Sequence, residues 1–266
     1  MMIGEGLCNG IVALTEALSA LGRDVPFELV SLTGGIADNA IPAKAQAVIA
    51  IDAENLGALE RFAAERQAAL REAYAGAEDR LTITVEAAEP ASQVFEAEQT
   101  ECMLAYVTEA INGVYTMSEA IEGLVESSSN LGVINATADG IEIRQMPRSS
   151  SPQRLAEIEA QYRALAAENG LAIDIAEGSR PWPVNEDSVM APRIQQIYRE
   201  QNGEEIEVAA IHAGLECGVF YELVDGLDMA SIGPDVVGAH SPDETLYLAS
   251  ISKIWHLLED LLVSLE

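Results

Sequence analysis

The stretch from residue 125 to residue 149, "VESSSNLGVINATADGIEIRQMPRS", leaves this chain little freedom. Two strand-like segments meet at Asp139-Gly140, and Asp-Gly supplies the positive-φ positions of a tight turn. The segments therefore fold back on each other as an antiparallel hairpin. Helical and strand patterns alternate on both sides of it. Apolar residues at 7, 11, 14, 18 and 21 give helical spacing over 7–22, with Gly22 as a stop. "FELVSL" (27–32) and "KAQAVIAID" (44–52) read as strands, separated by the turn-rich "TGGIADNAIP". Residues 53–75 read as an amphipathic helix, 80–89 as a strand by alternation, and 94–112 as a helix. After the hairpin come a helix at 151–169 and a strand at 171–177. The order predicts an α+β layer, an antiparallel sheet with helices on one face.

The rhythm changes at "GSRPWPVNEDSV" (178–189), where two prolines flank Trp182. We place a domain boundary here, giving domains at 1–181 and 182–266. The second part predicts a helix at 187–202, a strand at 207–213, a short helix after "GLECG", and a strand at 227–233. It closes with a helix at 245–265, whose Leu248, Ile251, Trp255, Leu258, Leu262 and Leu265 form one stripe. Alternating strand and helix point to part of a parallel α/β sheet. Two strands alone do not make a stable sheet, so this part is expected to need further covering elements. There is no internal repeat and no low-complexity linker.

A length of 266 residues and a hydrophobic fraction of 49% suffice for one large domain or two small ones. With 44 acidic and 14 basic residues the formal net charge is −30. A field of that sign repels nucleic acid and anionic membranes, so neither is expected as a partner. Cys8, Cys102 and Cys217 are odd in number and lack CxxC spacing. A reducing, cytoplasmic setting fits better than a disulfide framework. No apolar run reaches the roughly 18 to 20 residues that span a bilayer. The first residues carry no basic segment of the signal-peptide kind.

Few residues invite chemistry. His240 lies in "GAHSPDE", directly after the segment 227–233, and ligands of open α/β sheets sit at the carboxyl ends of strands. A neutral imidazole there can bind zinc, with Asp235, Asp243 or Glu244 to orient its second nitrogen. One histidine is not a zinc site, however, and neither His212 nor His256 completes one by local spacing. His256, beside Trp255, reads as a packing or surface residue. The glycines of "IHAGLECG" follow a strand and precede a helix, where backbone N–H groups can hold an anion or oxyanion. Cys217 reads as a small buried hydrophobe. Arg148, at the end of the hairpin, is a natural fork for a carboxylate, and Arg144 lies nearby. Ser149 to Ser151 read as helix caps. Asn39 reads by default as a turn asparagine.

In order and spacing, "IHAGLECG", "SIGP" and "GAHSPDE" resemble the C-terminal end of the aminoacyl-histidine dipeptidases. These carnosinase-like enzymes are a branch of the co-catalytic zinc aminopeptidase, aminoacylase and carboxypeptidase family. Upstream, "GGIADNAIPAKA", "VESSSNLGV" and the hairpin ending in "RSS" resemble the lid domain of that branch. The resemblance implies an α+β lid followed by the C-terminal part of an α/β zinc-peptidase catalytic domain. It implies that His240 ligates one of two zinc ions and that Arg148 grips the terminal carboxylate of a dipeptide. Asn39 would contact the substrate near the reacting carbonyl, and Gly214 would line the pocket. It further implies a homodimer formed through the lid. The family's other ligands, its bridging aspartate and its general-base glutamate lie upstream of the lid and have no match here. The chain is therefore expected to hold an incomplete metal site and to lack dipeptidase activity by itself. The competing readings are a non-catalytic dimerisation or peptide-binding module and a related exopeptidase of different specificity.

Overall fold

A computed structural model describes residues 3–119, 123–176, 182–185, 187–209, 215–238 and 244–265. The chain divides into two compact units, 1–177 and 178–266.

In the first unit the hairpin organises everything else. Strand β4 (Val125–Thr137) and strand β5 (Gly140–Ser149) run antiparallel from Ser127↔Ser149 to Thr137↔Gly140. The turn falls where Asp139-Gly140 predicts it, with Gly140 at φ 143°. The opposite edge of β4 is shared. Strand β1 (Glu28–Gly34) pairs with its C-terminal part at Ala136, Asn135 and Ile134. Strand β3 (Gly113–Met117) pairs with its N-terminal part, between Ser129 and Val125. Strand β2 (Ala45–Ala50) extends the sheet beyond β1. Every pairing is antiparallel, as expected for the α+β layer.

Four helices belong to this unit: α1 (Gly10–Leu21), α2 (Leu56–Ala73), α3 (Ala97–Glu109) and α4 (Pro152–Glu168). Helix α1 starts later than its apolar spacing suggests, because Asn9 caps it. The Asn9 Oδ1 accepts from the N–H of Ile11 at 3.0 Å and of Val12 at 3.3 Å. Ser151 caps α4 in the same way, accepting from Arg154 N at 3.3 Å, and Pro152 occupies the first turn. Ile11, Leu18, Leu29, Leu32, Met103, Val107, Leu131 and Ile134 form the core between helices and sheet. Burying such side chains contributes about 1.5–3 kcal/mol each.

Two strands expected from alternation are not strands. Over 80–89 the odd positions Leu81 and Ile83 are half-buried and Thr82 and Thr84 exposed, as the pattern requires. The backbone, however, bonds to the side chains of α2. Ile83 N donates to Gln67 Oε1 at 2.8 Å, and Leu81 O accepts from Arg71 Nε at 2.7 Å. Over 171–176, Leu171 and Ile173 pack on the core without joining a ladder. Alternation records which side is buried; it does not supply a neighbouring strand.

The second unit is built on α5 (Met190–Asn202) and α7 (Leu248–Ser264), with the short α6 (Cys217–Leu223) between them. Gly203, at φ 70°, ends α5 in the left-handed conformation. Ile194 and Ile197 of α5 pack on Leu257 and Leu261 of α7, joined by Ile206, Ala230, Ile232 and Ile254. Arg193 closes the far end of this pair through Ser264. Of the expected strands, 227–233 is irregular, as are residues 207–209, while 210–213 of the other lie outside the described residues. The strands described are β6 (Val236–Val237) and β7 (Thr245–Leu246), an antiparallel pair.

The stripe read from the sequence is not the buried face of helix α7. Its regular stripe faces outward: Leu248 is 75% exposed, Trp255 60% and Leu262 58%. The buried face runs instead through Ser250, Ile254, Leu257 and Leu261, with Leu257 fully buried. The helix is apolar on two faces, and periodicity alone cannot choose between them.

Candidate substrate-binding site

The β1–β2 connection crosses directly over the hairpin. Gly35 adopts φ 70°, and a Cβ there would lie 1.8 Å from Gly132 O. At Gly132 a Cβ would lie 2.3 Å from Asp38 Cα. Only two glycines allow the backbones to approach this closely. Gly132 is also the extra residue of a bulge in β4, between the pairs Leu131↔Gln145 and Val133↔Arg144. Beyond it the chain makes a turn over 37–40, closed by Ala40 N to Ala37 O at 3.3 Å. Asn39 occupies the tip of this turn, exposed and without a side-chain hydrogen bond among the described residues. Asn130 holds the turn from below: its Nδ2 donates to Asp38 O and to Ala40 O, both at 2.8 Å.

Arg148 lies on the neighbouring strand, opposite Ser128. Directly paired residues of an antiparallel ladder share a face, as do residues two apart along a strand. Arg148, Met146, Ser128 and Asn130 therefore project from one face of the hairpin. Arg148 stands two residues, roughly 7 Å, along the strand direction from the level of Asn130. Its guanidinium contacts Met146 Sδ at 3.5 Å, and its buried Nε has no partner in the described residues. A forked cation with an unused donor suits a carboxylate. Arg144, by contrast, stands beside Glu142 at 3.9 Å in an exposed pair.

The other face carries buried polar groups that are satisfied internally. Thr116 Oγ1 donates to Ser127 Oγ at 2.7 Å, and Ser127 and Ser149 share a bond of 2.9 Å. The Tyr162 hydroxyl of α4 reaches Ser129 Oγ and Ile111 O. Burial pushes the Tyr162 phenol well above its ordinary range, so it stays neutral. Ser149 thus belongs to the strand rather than to a helix cap, although it also accepts from Ser151 N at 2.9 Å.

His240 and Gly214 lie outside the described residues, as does His212. His256 is exposed on α7, its Nδ1 bonded to Ser252 O at 2.7 Å. Cys217 is half-buried at the start of α6, and no cysteine is paired. Among the described residues no group of three or more His, Cys, Asp or Glu comes together to hold a metal. Two cavities, of about 300 and 260 Å³, border Leu7, Asn9, Tyr74 and Asn112. Neither is lined by Asn39 or Arg148. The Asn39 turn lies over the hairpin face from which Arg148 projects, and the same face carries a residue that pattern reading passed over, Asn130. Its signal was a carboxamide in the middle of a strand, fully buried here.

Residues 4–78 match the model of a peptidase dimerisation domain. Over 261 residues, 98% of its length, the chain is 29% identical to the cytosol non-specific dipeptidase of Escherichia coli (strain K12), of which it covers 54%. Its structure superposes on the crystal structure of the aminoacylhistidine dipeptidase from Vibrio alginolyticus with a TM-score of 0.86, at 29% identity over 97% of this chain and 53% of that one. The chain spans about half the length of these relatives, and over that span it is similar in sequence and fold to the two dipeptidases.

Proposed function

We propose that the chain forms the substrate-gripping lid and the C-terminal catalytic segment of a metal-dependent dipeptidase acting on Xaa-His dipeptides. One observation carries this reading. Arg148, with a buried donor lacking a partner, stands on the same hairpin face that holds the Asn39 turn. Arg148 fixes the terminal carboxylate and so sets the length of peptide accepted. Asn39 offers its carboxamide near the scissile carbonyl. The Xaa-His preference draws on the structural relative, an aminoacylhistidine dipeptidase; the sequence relative is named non-specific, which favours a broader range of dipeptides as the second reading.

Two zinc ions belong to the proposal for the complete enzyme, with His240 as a ligand of one. When bound they would polarise the carbonyl and lower the pKa of a water. The described residues do not fit such a site by themselves, so its remaining ligands must come from elsewhere. We therefore expect the 266-residue chain alone to bind dipeptide without cleaving it. Incubation with Ala-His and zinc should release no histidine, and release that a chelator abolishes would overturn this expectation. The reading includes a homodimer through the first unit, supported by the dimerisation-domain match. Sedimentation equilibrium showing only monomer at tens of micromolar would contradict it. It also includes a cytoplasmic setting, supported by the unpaired cysteines and the cytosolic name of the relative. No described helix is long and apolar enough to cross a membrane.

A further inference from the structure

We infer that Asn130 is a positioning residue for substrate: its carboxamide, with Gly132 beside it, fixes the turn that presents Asn39. This rests on the reading of Asn39 as a substrate contact.

The geometry singles out Asn130. It is fully buried in the longest strand, where an apolar side chain would be the default. Its Oδ1 is buried without a partner among the described residues, a cost that an apolar residue would avoid. What an apolar residue cannot do is donate. Asn130 spends both N–H groups on Asp38 O and Ala40 O, the two carbonyls that bracket Asn39. The presence of two carbonyls also settles which end of the amide is the nitrogen. A carboxamide bonded on both sides of one residue restrains the backbone of that residue without touching its side chain.

Gly132 works from the same strand. Its missing Cβ lets Asp38 settle onto the bulge, and Gly35 crosses over its carbonyl. The turn is thus held by the strand that also sets the level of Arg148, through the pair Ser128↔Arg148. The spacing between a carboxylate-binding guanidinium and a carboxamide is then a property of one rigid hairpin. A dipeptide requires a fixed distance between its terminal carboxylate and its single peptide carbonyl, so such a platform fits it.

The test uses the full chain and five variants: Asn130→Asp, Asn130→Ala, Gly132→Ala, Asn39→Ala and the double variant Asn39→Ala/Asn130→Asp. Hydrogen exchange is read over 36–41 and over 127–146, and Ala-His affinity is measured by NMR titration. Asn130→Asp keeps the shape and removes both donors. We expect exchange over 36–41 to rise at least tenfold, since two hydrogen bonds are lost and one net bond accounts for about that much, while 127–146 stays protected. Ala-His affinity should fall as far as in Asn39→Ala, and the double variant Asn39→Ala/Asn130→Asp should be no weaker than either single one. Should the buried carboxylate prevent folding, Asn130→Ala and Gly132→Ala give the same readout, each loosening the turn. Unchanged exchange over 36–41 in all three strand variants overturns the inference. So does a weakened affinity in Asn39→Ala alongside normal affinity in a variant with a loosened turn. An Asn39→Ala chain that binds Ala-His normally overturns instead the reading of Asn39, and the role of Asn130 toward substrate falls with it.

Discussion

Asn9 and Asn130 show how much a single buried carboxamide can hold. Asn9 caps α1 through Oδ1, and its Nδ2 donates to Asn112 Oδ1 at 3.0 Å and to Leu131 O at 2.9 Å. Asn112 Oδ1 in turn accepts from Leu131 N at 3.1 Å. One side chain thereby joins a helix start to the central strand with every polar atom used. Asn9→Ala removes a cap, takes the Nδ2 donor away from Leu131 O, and leaves Asn112 Oδ1 with Leu131 N alone. We expect a loss of about 2 to 4 kcal/mol in urea denaturation, combining the cap with an unsatisfied buried acceptor. A loss under about 1 kcal/mol would show that water replaces the network at little cost. Neither asparagine is prominent in the sequence, because Asn reads first as a turn or cap residue. For Asn9 that reading finds half of its role. For Asn130 it finds none, since the partner carbonyls come from residues some ninety positions away. Arg148 was easier to see, because basic residues are few in so acidic a chain.

At the scale of elements, legibility follows the source of each signal. The hairpin turn and the Ser151 cap rest on local chemistry, and local chemistry is written in adjacent residues; apolar spacing read without the Asn9 cap sets the start of α1 three residues early. Segments 80–89 and 171–176 alternate correctly yet pair with nothing, because strand partners are a tertiary matter. The face of α7 was undetermined for a related reason: two apolar stripes compete, and contact with α5 decides. Asp228 gives the second unit a pH dependence. Hydrogen bonds from Ser188 and from the backbone of Met190 and Val189 hold its carboxyl below the ordinary carboxylate value. Its bonds to Val189 N and Met190 N, both 2.8 Å, tie the 227–233 segment to the start of α5. A lowered folded pKa gives stability that is complete above the unfolded value and lost as pH falls through the folded one. The second unit should therefore weaken on acidification through and below the ordinary carboxylate range. Asp228→Asn should be less stable at neutral pH and flatter over that acidic range, as read by melting temperature against pH. Identical profiles for the two proteins would remove Asp228 from the account.

For the whole molecule, composition excluded more than it identified. A formal charge of −30 argues against polyanionic partners but is silent on chemistry. The chain was placed among dipeptidases by motifs spread over both units, and the likeness to two relatives over nearly all of its length agrees with that placement. Of the candidate site residues, Arg148 lies on the hairpin and Asn39 on the β1–β2 turn that crosses it. His240 and Gly214 lie outside the described residues. The central claim is that Arg148 receives the carboxylate of a dipeptide. The most direct measurement follows the Arg148 Nε–H resonance by NMR while Ala-His, and separately its C-terminal amide, is titrated into the chain. The account predicts a saturable shift of Nε–H with Ala-His and a response at least tenfold weaker with the amide, because only the free acid makes the charged fork. Equal responses to the two ligands, or no response of Nε–H to Ala-His, would contradict it.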